Sequence, residues 1–180
     1  MQKYLEKERS VVLAHERMAL VEELMDEYGD EILWLVYTYV KNQAVAEELT
    51  QEIFIKCYNG LPKFKGNCSY KTWLYRIAIN HSKDYNASWY AKNIQAYDFG
   101  QVELESDECV ESQVVTRDEN SQLVQAVGEL PEKLRIVIYL FYFEDKTSKE
   151  IAQLLQINEN TVKSRLRKAK QVLEKMLGGV

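Results

Sequence analysis

The run TSKEIAQLLQINENTVKSRLRKAKQVLEKM, residues 147–176, decides how this chain is read. Thr147 or Ser148, followed by Glu150, looks like a helix start with a partial capping box, in which side chains satisfy N–H groups that lack a carbonyl one turn back. Ile151, Leu154 and Leu155 give that short helix a buried side. Ile157-Asn158-Glu159 makes a turn, and Asn160 or Thr161 can cap the helix that follows. It turns Val162, Leu166, Ala169, Leu173 and Met176 inward at alternating steps of four and three. Lys163, Ser164, Arg165, Arg167, Lys168 and Lys170 lie off that stripe as a basic face. Helix, tight turn, helix is the outline of a major-groove reader, since such a helix needs a buried seam, small polar residues near its start and cations beyond them. An amphipathic helix with a merely solvated basic face is the competing reading.

Upstream, Leu123, Val127 and Leu130 repeat within residues 118–130, and Pro131 sits where a first helical turn tolerates it. Leu134, Val137, Ile138 and Phe141 continue the buried stripe, and Glu144-Asp145-Lys146 is a polar turn. Residues 118–180 therefore form one small helical domain. Before them the pattern collapses: Asp98, Glu103, Glu105, Asp107, Glu108 and Glu111 meet no Lys or Arg between 94 and 116. Residues 94–117 read as an acidic linker.

Residues 20–93 carry three helical stripes. Leu20, Leu24, Tyr28, Ile32, Leu33, Val36, Tyr37 and Val40 make the first, with Gly29-Asp30 as an expected interruption. After Lys41-Asn42-Gln43 comes Ala46, Leu49, Ile53, Phe54, Cys57 and Leu61, ended by the breaker at residues 60–62. Glu47, Glu48, Gln51, Glu52 and Lys56 form its opposite face, which the residues alone mark as ordinary solvated surface. The third segment, residues 70–85, lines up Trp73, Ile77 and Asn80-His81. Around it Phe64, Tyr70, Trp73, Tyr75 and Tyr85 alternate with Lys65, Lys71, Arg76, Lys83, Asn67, Asn80 and Asn86, a mixture suited to stacking unpaired bases. For Trp73 itself, burial in the core is the favoured reading. Residues 1–19 read as an extension, a leading helix or a frayed tail.

With 180 residues, 46% of them apolar, and only seven glycines and two prolines, the chain belongs to the all-α class, as two small domains. No leader-like start and no apolar run of roughly 20 residues stand in it, so a cytoplasmic protein is expected. Cys57, Cys68 and Cys109 are far apart and, with His15 and His81, suggest neither a disulfide framework nor a metal. There is no phosphate loop or catalytic grouping, so neither an enzyme, a cofactor nor a small-molecule substrate is expected. A net charge of −5 speaks against gripping duplex DNA unaided.

Four strings, in this order and spacing, resemble the extracytoplasmic-function sigma factors: AEELTQEIF at 46–54, YKTWLYRIAIN at 70–80, EIA at 150–152 and TVKSRL at 161–166. The resemblance spans about 20–93 and 118–177. It implies that 20–93 is sigma region two, with Glu47, Glu48, Gln51, Glu52 and Phe54 on a face that docks on the beta-prime clamp helices of core RNA polymerase. It implies a minus-ten surface of Lys63, Lys65, Asn67, Ser69, Lys71, Trp73, Arg76, Asn80, Lys83 and Asn86, trapping a base extruded from the duplex at a cost of a few kcal/mol. Residues 118–180 would be region four, with the beta flap as protein partner. There Asn160, Thr161, Lys163, Ser164, Arg165 and Arg167 would meet the minus-thirty-five element of promoter DNA, and Lys168 and Lys170 its phosphates. An anti-sigma factor, in some relatives membrane-anchored, and a stress or envelope-response regulon are further implications. Two departures stand out: residues 85–92, YNASWYAK, lack the arginines usual there, and Asn160 replaces a glycine.

The linker then acquires a mechanical role. As a free coil its two dozen residues span about 25 to 30 Å, and extended about 80 Å, whereas the two promoter elements lie well over one DNA turn of about 34 Å apart. Held extended by polymerase, its acids would mimic nucleic acid in a basic channel. Two other readings stay open at this stage. A freestanding helix-turn-helix regulator would footprint DNA without polymerase. A polymerase-binding module without DNA contacts would be indifferent to Arg165→Ala and Arg167→Ala.

Overall fold

A computed structural model describes the backbone of residues 2–97 and 119–178 and the side chains of 13–89 and 122–178. Every regular element among the described residues is a helix, as expected: α1 (Gln2–Val40), α2 (Gln43–Gly60), a 3-10 turn (Leu61–Lys63), α3 (Tyr70–Tyr97), α4 (Glu119–Glu129), α5 (Glu132–Tyr142), α6 (Ser148–Leu155) and α7 (Glu159–Met176). Two compact units form, Met1–Ser82 and Lys83–Val180, and their division falls inside α3. The helix continues past the expected linker start at 94 as far as Tyr97, and residues 98–117 of that linker lie outside the described residues.

In the first unit the chain reverses sharply after α1. Lys41 adopts the left-handed conformation (φ 56°) and its N–H donates to the Tyr37 carbonyl at 3.0 Å, while the Asn42 side chain accepts the Val45 N–H at 3.1 Å. These two residues close one helix and open the next, so α1 and α2 form a hairpin. Gly29-Asp30 does not interrupt α1, and residues 2–19 are helical without a break from it. A mid-helix glycine costs only about 1 kcal/mol against alanine, which packing of Leu24, Ile32 and Leu35 on either side offsets. The core joins these to Val21, Val36 and Tyr39, and to Ala46, Leu49, Ile53, Phe54 and Cys57 of α2.

The third helix corrects the expected stripe. Its buried side is Leu74, Tyr75, Ala78, Ile79 and Ser82, one residue on from the line through Trp73, Ile77 and His81, which are only partly covered. Tyr75 is 1% exposed and its hydroxyl donates to Glu31 of α1 at 2.9 Å, so it is a core residue and not a base-stacking one.

In the second unit α5 is buried from Leu134 to Leu140, while Phe141 is only partly so. Arg135 is among the buried residues and donates through Nη1 to the carbonyls of Gly128 (2.9 Å) and Leu130 (2.8 Å), satisfying the open end of α4. Pro131 stands just before α5, whose first residue is Glu132. On α4 the inward residue is Ala126 with Leu130 beyond it, and Leu123 faces solvent.

Candidate nucleic-acid interface

The α6–α7 pair is built almost wholly from local chemistry. Thr147 forms a complete capping box: its hydroxyl accepts the Glu150 N–H at 3.3 Å, and the Glu150 carboxylate accepts the Thr147 N–H at 2.8 Å. The Thr147 hydroxyl also donates to that carboxylate at 2.6 Å, and these bonds hold the Glu150 pKa below its ordinary 4.5. Gln156, left-handed at φ 57°, ends α6. The Asn158 side chain accepts the Asn160 N–H at 2.8 Å, so the cap of α7 is Asn158 and neither Asn160 nor Thr161. An amide oxygen two residues upstream of an open N–H reaches it more directly than a side chain already inside the helix.

Val162, Leu166 and Ala169 are the buried seam of α7, Leu173 is half-buried, and Met176, expected inward, is 44% exposed because the helix has run past its neighbours. Off the seam lie Asn160, Lys163, Ser164, Arg167 and Lys168, all exposed, with Thr161 and Arg165 partly covered. The helix thus presents small polar groups at its start and four cations beyond, the arrangement a groove-reading helix requires. Lys163 pairs with Glu159 one turn back at 2.7 Å, which keeps the Glu159 carboxyl below its ordinary pKa. Ser164 donates to the Thr161 carbonyl at 2.9 Å. Lys170 stands 5.5 Å from the Tyr142 ring.

The second surface starts in the loop between the 3-10 turn and α3. Gly66 has φ +69°, which suits glycine, and Ser69 opens α3 by accepting the Thr72 N–H at 3.2 Å. Phe64 stacks against Tyr70 (4.8 Å) and Trp73 (4.9 Å), and Gly60 leaves room for Trp73: a Cβ there would come within 3.0 Å of its ring. Trp73 is therefore one wall of an aromatic cluster, partly covered and partly open. Lys63, Lys65 and Asn67 surround that cluster and are exposed. Arg76 reaches the Cys68 sulfur at 4.0 Å, and Asn80 is exposed a turn further along α3. Lys71 is engaged by Glu31 at 2.7 Å and lies over the Tyr28 and Tyr75 rings, so it braces α3 against α1. Lys83 and Asn86 belong to the second unit, where Lys83 donates to the Leu155 carbonyl at 3.5 Å and Asn86 to Glu132 at 2.9 Å. Eight of the ten expected residues thus stand in one unit.

On α2, Glu47, Glu48, Gln51 and Glu52 are exposed together. Phe54 is 4% exposed and supports the helix from beneath, so it cannot be a contact. The apolar residue in that face is Ile55, 60% exposed and overlooked on the sequence. Its signal was a large aliphatic off the 46-49-53-57 stripe, in the middle of the face that carries Glu47, Glu48, Gln51 and Glu52. Burial pushes the Cys57 thiol up to about 11, which leaves it a packing group. Among the described residues no cluster could hold a metal, and no helix is long and apolar enough to cross a membrane.

These two surfaces fall within two family matches, Sigma-70 region 2 over residues 24–88 and Sigma-70, region 4 over residues 120–173. The RNA polymerase sigma-H factor of Pseudomonas aeruginosa is 32% identical over 86% of this chain and 84% of its own length. The chain belongs to the extracytoplasmic-function sigma factors. SigW of Bacillus subtilis, an ECF RNA polymerase sigma factor by name, is 30% identical over 86% of this chain and 87% of its own length. As a sigma factor the protein is an initiation factor for promoter recognition and not an enzyme. The sigma fold recurs in RpoE solved in complex with the anti-sigma factor NepR from Bartonella quintana (TM-score 0.70, 19% identity, 88% of this chain and 96% of that one). It recurs again in CnrH solved with the cytosolic domain of CnrY (TM-score 0.62, 18% identity, 92% of this chain and 95% of that one).

Proposed function

We propose that this sigma factor docks on the beta-prime clamp helices of core RNA polymerase through Glu47, Glu48, Gln51, Glu52 and Ile55, with Phe54 as the support beneath them. Lys63, Lys65, Asn67, Trp73, Arg76 and Asn80 grip the minus-ten strand, one base being trapped at the Phe64–Tyr70–Trp73 cluster; Ser69 and Lys71 set the loop and helix that carry them. Lys83 and Asn86 continue that track along α3. Residues 118–180 meet the beta flap and place α7 in the major groove at the minus-thirty-five element, where Asn160, Thr161, Lys163, Ser164, Arg165 and Arg167 read or flank bases and Lys168 holds phosphate.

The observation that carries the reading is the pairing, within one unit, of a solvent-facing acidic face on α2 with an aromatic cluster at the start of α3 whose Phe64 stands between exposed Lys63 and Lys65. One suits a basic protein partner and the other unpaired nucleic acid. The residues 94–117 bridge the two promoter contacts, and residues 1–19 precede the polymerase-binding part. An anti-sigma factor, as NepR is for RpoE, restrains the protein in the cytoplasm until an envelope or other stress releases it.

Run-off transcription with core polymerase on a pool of genomic promoter fragments tests this. Starts that depend on the protein and share two spaced upstream elements are expected. Core binding without new starts would favour an interaction module, and DNA binding without core a freestanding regulator.

A further inference from the structure

One residue of the polymerase-facing helix is not free to serve polymerase alone. Oε2 of Glu52 lies 2.6 Å from Nε2 of His81 on α3, with the glutamate side chain 48% exposed and the histidine 13%. This is a cross-helix bond between a residue of the exposed acidic face and a half-hidden imidazole, short and directional. Near the start of α3, Lys71 and Tyr75 both reach Glu31. Further along, beside fully buried Ala78 and Ile79, the Glu52–His81 pair adds a directional bond between α3 and α2. Apolar packing alone tolerates small rotations, whereas a short polar bond fixes one. Asn80, exposed and adjacent to His81, and Arg76, on the same helix, would turn with any such rotation.

We propose that His81 is a positioning residue that seats α3 through Glu52, so that polymerase docking on α2 and the grip of α3 on the minus-ten strand share one carboxylate. The inference rests on the assignment of those two surfaces. Polymerase reaching Glu52 from solvent meets a carboxylate with one oxygen held by His81 and the other open to a cation. Docking then bears on the seat of the DNA-binding helix, and by linkage the seat bears on docking.

The test uses the full chain as holoenzyme on fork-junction DNA made from a promoter recovered by run-off transcription, with core affinity and fork binding measured separately. His81→Ala is expected to weaken fork binding about tenfold, the scale of one charge-assisted hydrogen bond, while core affinity stays within about twofold, as linkage through one weak tie allows. His81→Gln, whose amide nitrogen reaches about where Nε2 does, should regain most of the loss. Glu52→Ala, which leaves His81 no acceptor, should weaken both affinities, and adding His81→Ala to it should cost the fork nothing further. Fork binding by His81→Ala within twofold of the parent, or additive losses in the double variant, overturns the inference. So does an equal fall in core affinity, fork binding and melting temperature, which marks plain structural damage. If the parent protein itself fails to form a fork-binding holoenzyme, the assignment of the surfaces fails instead.

Discussion

The α6–α7 pair and the α2–α3 surface, the two proposed contact regions, are held in opposite ways. In the first, nearly every fixing bond joins residues within five positions of each other: Thr147 with Glu150, Ile157 with Ala152, Asn158 with Asn160, Glu159 with Lys163. In the second, the fixing bonds join different helices: Glu31 with Tyr75 and Lys71, Glu52 with His81. Local ties make a rigid reading head that tolerates change elsewhere, whereas long-range ties make the geometry of the surface a property of the whole bundle.

That contrast predicts its largest effect in the first unit's core. Leu74 is fully buried beneath the minus-ten surface, so Leu74→Ala should cost about 2 to 5 kcal/mol of stability, read as a lowered midpoint in chemical denaturation. Minus-ten strand binding should fall with it. If the strand contact survives unchanged while stability drops, the surface does not depend on the bundle and the contrast fails.

The middle effect lies in the reading head. Arg165→Ala or Arg167→Ala should cost about 1 to 3 kcal/mol of minus-thirty-five recognition for a residue making a bidentate base contact. Arg167 is exposed and Arg165 partly covered, so melting temperature should be nearly untouched for Arg167→Ala, and a phosphate-only role would weaken all sequences alike. Competition binding of holoenzyme to promoters altered at single minus-thirty-five positions separates these outcomes.

The same contrast explains what could be read in advance. The helix-turn-helix was legible because hydroxyl, carboxylate and amide caps act over two to five residues, and a one-dimensional pattern contains both partners. Even there the cap slipped from Asn160 or Thr161 to Asn158, since several neighbouring polar residues can each offer an oxygen. The stripe of α2 was legible too, but on α1 only Leu24, Ile32 and Val36 of the expected stripe are buried, with Val21, Leu35 and Tyr39 inward instead, and that of α3 came out one residue off. Tyr75 and Ser82 are inward, a tyrosine and a serine that sequence alone gives no reason to bury, and Tyr75 goes in because Glu31, 44 residues away, receives its hydroxyl. Phe54 lies on the buried stripe that periodicity marks and is buried; it was the resemblance that set it on the docking face, where Ile55, one position on, is the exposed residue.

The smallest effect sharpens the comparison most, because it isolates one local tie. Thr147→Ala removes the hydroxyl's half of the capping box, leaves the backbone N–H of residue 147 bonded to the Glu150 carboxylate, and should cost about 1 kcal/mol. The loss should also depend on pH. The box holds Glu150 below its ordinary 4.5, so its contribution is present above the unfolded value and fades as pH falls through the folded one. The stability gap between parent and Thr147→Ala should therefore be full near neutrality and narrow under acid, and Glu150→Gln should lack that narrowing. The side chain is solvent-exposed, which limits the size of the electrostatic share. A gap that stayed constant down to strongly acid pH would mean that the threonine hydroxyl alone, and not its bond with the carboxylate, starts α6.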